Sequence, residues 1–233
     1  MKTNTSWKPV LKPGQLAESR LVRAFLDGTF PINTSLPAER ELAELLGVTR
    51  PTLREALQRL ERDGFVEIQH GKPTRVRDFW VEGNLGVTLA LAQYQDPLPQ
   101  DFLANLFAVR ILLAPTYISA AISRAQESLL AFLASAEDLP DSAESFAQYD
   151  WELHWQLTLY GGNAFFTHFM NSVKRLYHIV GVPYFSHQQT RSHSRDFYRQ
   201  LRVCAQEKNG EKAGQLAQRV MQESASLWED LSA

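Results

Sequence analysis

The chain is predicted to be mainly α, with a small α/β unit at the N-terminus joined to an antiparallel all-α helical bundle. Three observations carry that expectation. Apolar residues recur at helical spacing over most of the 233 residues. Strand signals are confined to residues 65–76, around the tight dipeptide His70-Gly71, and beyond Trp80 they vanish while five helical stripes take over. The length is large for one core, and 44% hydrophobic residues is ample for two.

Taken in order, residues 1–14 lack periodicity and are expected to form an arm. Leu16, Leu21, Val22, Phe25 and Leu26 then keep helical spacing to about Asp27, and Gly28 ends the run. A second helix starts near Pro37, a residue suited to a first turn, with Glu39 and Glu41 complementing its positive end. Leu42, Leu45 and Leu46 give its buried face, and Gly47 breaks it. Thr49 can cap a third helix by accepting an orphan backbone N–H, and Pro51 is tolerated in the first turn. Leu53, Leu57 and Leu60 form its inward stripe. Residues 65–68 and 74–76 read as short strands with His70-Gly71 at the tip, which completes a winged helix-turn-helix.

The inward stripe fixes what faces out. Arg50 and Arg54 lie one turn apart near the start of the third helix, on an exposed flank with Thr52. That end of a recognition helix is where base edges are reached. A guanidinium pairs bidentately with guanine, and the hydroxyls of Thr49 and Thr52 suit phosphate. The His70-Gly71-Lys72 tip has a shape that can enter a minor groove. A net charge of −2 does not oppose a nucleic-acid partner, because the signs segregate. Residues 36–80 hold eight Lys/Arg and eight Asp/Glu, with Glu39, Glu41 and Glu44 in the second helix and Lys72, Arg75 and Arg77 crowding the ribbon.

The run LPAERELAELLGVTRPTLREALQRLERDGF followed by IQHGKPTRV resembles the DNA-binding domain of the GntR superfamily. The HGKPT tip and the following FW are similar to its FadR subfamily. The resemblance implies that Arg40, Arg50, Arg54, His70 and Lys72 are the main contacts to a double-stranded DNA operator, supported by Thr49, Thr52 and Gly71. Pro51 stands where that subfamily carries a hydroxyl, so one contact is expected to be missing. The expected organisation is a DNA-binding domain over residues 1–77, a linker over 78–84 and a helical effector-binding and dimerisation domain over 85–233. One head offers few base contacts and two spaced along the duplex multiply affinity, so a homodimer on a palindromic site is expected.

In the second domain Leu103, Leu106, Leu113 and Tyr117 define one stripe, and Phe146, Leu153, Leu157 and Tyr160 the next. Phe166, Phe169, Val173 and Tyr177 give a third, Phe197, Leu201 and Cys204 a fourth, and Leu216, Val220 and Leu227 a fifth. Short connections at 161–163 and 208–210 imply antiparallel neighbours. Polar residues interrupt these stripes: Arg110 after Leu106, Asp150 after Phe146, and Glu223-Ser224 after Val220. An inward arginine is costly unless an anion meets it. Two readings follow. Arg110 pairs with Asp150 or Glu223 as an internal clamp, or it meets an anionic ligand in a cavity between helices; both hold if it exchanges partners on binding.

The FadR resemblance continues through Ala108-Val109-Arg110, Arg175-Leu176-Tyr177, Tyr184-Phe185, Glu223-Ser224 and Trp228. It implies that the bundle binds long-chain fatty acyl-CoA, that the ligand releases the protein from DNA, and that Arg110, Tyr184, Glu223, Ser224 and Trp228 line the pocket. Met221 replaces a glycine that lies close to the CoA moiety in the subfamily, and is expected to narrow or redirect the channel. An alternative comes from the wider FCD branch, whose members hold a metal; a small carboxylate effector would then sit on it. Asp150 and His154 match two of its ligands, but Tyr198-Arg199 and Met221-Gln222 stand where two histidines should be. No metal is therefore expected, and Asp150 and His154 should pair within the bundle.

Other classes find no support. There is no nucleophile elbow, phosphate loop or catalytic histidine motif, so the chain is not expected to be an enzyme or to need a cofactor. No apolar run reads as a membrane span, and MKTNTSWKPV lacks the apolar block of a signal peptide. A cytoplasmic, nucleoid-associated protein without a membrane partner is expected, and the lone Cys204 permits no disulfide framework.

Overall fold

The computed structural model describes residues 12–95 and 101–232. Residues 1–11 of the expected arm lie outside them. The chain divides into two compact units, Met1–Asp96 and Pro97–Ala233.

In the first unit, α1 (Pro13–Leu26) begins on a proline, whose missing N–H would be unpaired at that position in any case. Helices α2 (Glu39–Leu45) and α3 (Arg50–Asp63) follow. Thr49 caps α3 as expected, its Oγ1 accepting the Thr52 N–H at 3.4 Å. Gly64 ends α3 at φ +97, a left-handed conformation that costs a glycine little. Leu21, Val22 and Phe25 of α1 bury against Leu53, Leu57 and Leu60 of α3, with Phe65, Val66 and Val76 closing the core.

Strands β1 (Val66–Glu67) and β2 (Arg75–Val76) pair antiparallel, Val66 opposite Val76 and Glu67 opposite Arg75. They are shorter than the sequence suggests. The far edge of β2 is taken by residues 33–36: the Asn33 N–H donates to the Val76 carbonyl and the Leu36 N–H to the Thr74 carbonyl, each at 2.8 Å. Strand β2 is thus held on both edges.

The expected linker over 78–84 is not one in the structure. Phe79 opens α4 (Phe79–Glu82) and is 3% exposed, its ring 5.2 Å from Phe65 and 6.4 Å from Phe25. Helix α5 (Leu85–Tyr94) packs on α1 and α3. Asn84 fixes the junction: its Oδ1 accepts the Gly86 N–H and its Nδ2 donates to the Arg62 carbonyl at the end of α3, both at 2.7 Å. This aromatic and hydrogen-bonded attachment carries the compact unit on to Asp96.

In the second unit the five stripes become α6 (Phe102–Arg124), α8 (Ala143–Gly161), α9 (Ala164–Phe185), α10 (Gln188–Gln206) and α11 (Gly210–Ser232). Helix α7 (Gln126–Ala134) and a 3-10 turn over Ser135–Asp138 are additional; Leu129 and Leu133 bury α7 beside α10. Helix α6 packs on α8 and α11. A Cβ at Gly210 would stand 2.6 Å from the Ser119 carbonyl oxygen, so the bare glycine lets α11 close on α6. Contrary to the reading above, α6 is long and apolar enough to cross a membrane, with a mean hydropathy of 1.6 over its most apolar 18 residues. That apolarity is used within the bundle, where Ala114, Ile118, Ala121 and Ile122 are fully buried.

Candidate nucleic-acid interface and effector site

The head exposes Arg40, Thr49, Arg50, Arg54, His70, Gly71 and Lys72, while Thr52 is half-buried. Arg54 and the His70-Gly71-Lys72 tip line one open groove bounded by α2, α3 and the wing. Arg40, Thr49, Arg50 and Thr52 lie outside that groove, on α2 and the first turn of α3. The Thr49 and Thr52 hydroxyls meet at 2.9 Å, so Thr49 serves the helix before it serves any phosphate. The Arg54 Nε donates to Glu39 Oε2 at 2.7 Å, a partner not anticipated from the sequence. Glu61 braces the wing, its Oε1 accepting the Ile68 N–H at 2.8 Å, and Gly71 makes the tip at φ +74.

The bundle centres on Asp150, which is 4% exposed on α8. Its Oδ1 accepts the Tyr198 hydroxyl at 2.9 Å, and its Oδ2 accepts the Tyr177 hydroxyl and an Arg110 Nη2 at 3.4 Å. The same Nη2 lies 3.1 Å from His154 Nε2, and His154 Nδ1 lies 2.7 Å from the Tyr117 hydroxyl. A guanidinium only donates, so Nε2 must be the acceptor; the His154 proton then sits on Nδ1 and is donated to the Tyr117 oxygen. The tautomer follows from the geometry. Burial pushes His154 down to about 4, against the pull of Asp150 and with the help of the Arg110 charge, which leaves it neutral at pH 7. Burial alone would raise Asp150, but the neighbouring His154 and Arg110 together with the two tyrosine hydroxyls outweigh it and hold the carboxyl below its usual range.

Arg110 therefore clamps Asp150 and not Glu223. Glu223 is 49% exposed and sits 3.8 Å from both His193 and Arg219. Asp150 and His154 do come together, 3.8 Å apart on one face of α8. The Arg110 guanidinium occupies the place of a cation there, and no group of three or more metal-ligating side chains exists among the described residues. The residues do not fit a divalent ion.

Two cavities flank Arg110 and Tyr177. The first lies among α6, α9 and α11, lined by Phe107, Tyr184 and Trp228 besides those two, and the second lies between α6 and α9 beside Phe166 and Val173. Each is about 30 Å³, room for about one water against the several hundred Å³ of a ligand pocket. The Tyr184 hydroxyl is buried without a hydrogen bond; Ser224 lies close enough to affect its proton, but not in bonding geometry. Trp228 stands 6.2 Å from the Tyr184 ring. Met221 is 3% exposed in the core and lines neither cavity, so it narrows neither of them. The sequence reading missed the hydroxyls of Tyr117 and Tyr177 because each doubles as a member of an apolar stripe, and it weighed Tyr198 only as the absence of a histidine; the hydroxyl contacts of all three reveal the polar centre.

Residues 14–76 match the family described as "Bacterial regulatory proteins, gntR family", and residues 77–233 match the "FadR C-terminal domain". A "Fatty acid metabolism regulator protein" of Shewanella sp. strain MR-7 is 42% identical over 200 residues, covering 84% of this chain and 82% of that protein. The protein of the same description from Shewanella halifaxensis is 37% identical over 219 residues, covering 94% of this chain and 92% of its own length. A solved structure described as "Lar controls the expression of the Listeria monocytogenes agr system and mediates virulence" shares the fold. Its TM-score is 0.60 at 18% identity, over 94% of this chain and 97% of that one.

Proposed function

Because the chain belongs to the gntR family of bacterial regulatory proteins and carries a FadR C-terminal domain, we propose that it acts as a homodimer on a palindromic operator and is released when long-chain acyl-CoA enters the bundle. It is a transcription regulator of fatty acid metabolism and not an enzyme. The cytoplasm, where the nucleoid is, is its place of work.

In this reading Arg50 and Arg54 read base edges, Arg40 and Lys72 neutralise phosphates, His70 and Gly71 enter the minor groove, and Thr49 and Thr52 order the helix end. Arg110, Tyr184, Ser224 and Trp228 take the acyl-CoA, with the exposed Glu223 at the rim. The observation that carries the effector half is Arg110, an internal cation whose Nη2 meets Asp150 and His154 beside two cavities too small for any acyl chain. A ligand has to part α6 from α9 and α11, and in doing so reaches the Arg110 clamp that, with the Tyr117–His154 hydrogen bond, ties α6 to α8. A change at such a clamp is discrete rather than graded, which is what a coupling between two binding sites requires.

The test is a titration of oleoyl-CoA against the full chain bound to a fluorescent duplex, selected from a random pool by this protein. Operator affinity should fall by about tenfold or more, within the usual range of coupling factors. Free CoA should do little. An unchanged affinity at saturating oleoyl-CoA would overturn the proposed effector.

A further inference from the structure

The groove of the head contains an anomaly. Among its lining residues Arg54, His70 and Lys72 suit a polyanion, yet Glu39 also faces into it and is its one carboxylate. A carboxylate there repels phosphate, and alone it would weaken binding. It is not alone: Glu39 Oε2 accepts from Arg54 Nε at 2.7 Å, with Arg54 66% and Glu39 38% exposed.

We propose that Glu39 is a positioning residue for DNA reading, holding Arg54 by its Nε so that the terminal Nη1/Nη2 pair is presented outward to a base edge. A guanidinium has two edges able to make paired hydrogen bonds, one through Nε and one through the two terminal nitrogens. With Nε engaged by Glu39, the terminal edge remains for the two acceptors of guanine. A long arginine side chain otherwise samples many rotamers, and fixing it in advance lowers the entropy lost on binding. Glu39 itself is fixed because it opens α2, whose Leu42 is buried against the head core. The carboxylate thus gives up some general attraction to the backbone in return for discrimination among sequences. The inference rests on the reading above that Arg54 meets a base.

Full-length parent, Glu39→Ala, Glu39→Gln, Arg54→Ala and the Glu39→Ala/Arg54→Ala double variant are compared on the duplex selected by the parent and on a mixed-sequence duplex. The ratio of the two affinities is read, and unfolding midpoints control for damage to the fold. Glu39→Ala should lose about tenfold in that ratio, a fraction of the value of a bidentate pair. Its affinity for mixed sequence should stay equal or rise, since a negative charge has left the groove. Glu39→Gln, which still accepts through its amide oxygen, should fall between parent and Glu39→Ala. In the Arg54→Ala background the Glu39→Ala change should add nothing.

Full discrimination by Glu39→Ala, alongside a loss in Arg54→Ala, would overturn the inference and leave Arg54 as a reader. Full discrimination by Arg54→Ala would sink the underlying reading instead. A Glu39→Ala loss that persists without Arg54 would mean that Glu39 contacts a base itself, by accepting from a cytosine amino group, and would equally overturn the inference. So would tighter binding of the selected duplex by Glu39→Ala, because the pair would then be inhibitory.

Discussion

Both units hold an arginine against a carboxylate, and the contrast between the two pairs separates their roles. Arg54 and Glu39 meet at the surface of the head, 66% and 38% exposed, whereas Arg110 and Asp150 meet inside the bundle, 21% and 5% exposed. In water an ion pair is worth little, so Arg54 can turn to a base edge without leaving a charge stranded. In the bundle the same separation leaves an unsolvated charge, and Arg110 can change partner only for something that supplies a counter-charge or lets in water. In the proposed function one pair is poised to read, and the other resists until a suitable ligand arrives.

Cutting each pair at its carboxylate gives the largest expected difference. Asp150→Ala strands Arg110 and two tyrosine hydroxyls and should cost the effector domain about 3–5 kcal/mol in urea unfolding. Glu39→Ala should cost the head no more than about 1 kcal/mol, mostly the lost charge at a helix start. Equal losses would break the comparison.

Acid offers the next test. Unfolded His154 takes up a proton near pH 6.5 and folded His154 only near 4, so the unfolded state binds more protons between those values. The stability that neutral His154 contributes is therefore complete above about pH 6.5 and is lost as pH falls toward 4, by about 3 kcal/mol. His154→Gln should flatten that slope; an unaltered slope would show that His154 takes up its proton as readily in the folded bundle as in the unfolded chain.

Arg54→Ala sharpens the comparison from the other side. It should cost about 1–3 kcal/mol of discrimination between selected and mixed duplex, with the unfolding midpoint unmoved. Smallest of all, Thr49→Ala should lower the stability of the head by about 1 kcal/mol, the usual value of an N-cap, seen as an earlier denaturation of the head alone.

The same contrast explains what was legible in the sequence. Helix α3 announced itself because its cap, its first-turn proline and its leucine stripe all act within a few residues of one another. Helices α4 and α5 did not: α4 has only four residues, and α5 buries Val87, Ala90, Leu91, Ala92 and Tyr94, too nearly continuous a run to leave a polar face. Arg110 and Asp150 stood out as interruptions of apolar stripes. Which carboxylate meets Arg110, and which hydroxyls complete the cluster, depends on residues 27 to 48 positions apart in sequence on different helices, and only packing decides it. The exposed head residues could be placed from local spacing, but the Glu39–Arg54 contact joins two helices across a turn and has no local signature.

The account rests on a coupling between the bundle and the head, and coupling is reciprocal. Calorimetric titration of oleoyl-CoA into the free protein and into the protein saturated with its selected duplex measures that coupling directly. The account predicts that bound DNA weakens acyl-CoA binding by the same factor by which acyl-CoA weakens DNA binding. Equal acyl-CoA affinities in the two titrations would contradict it.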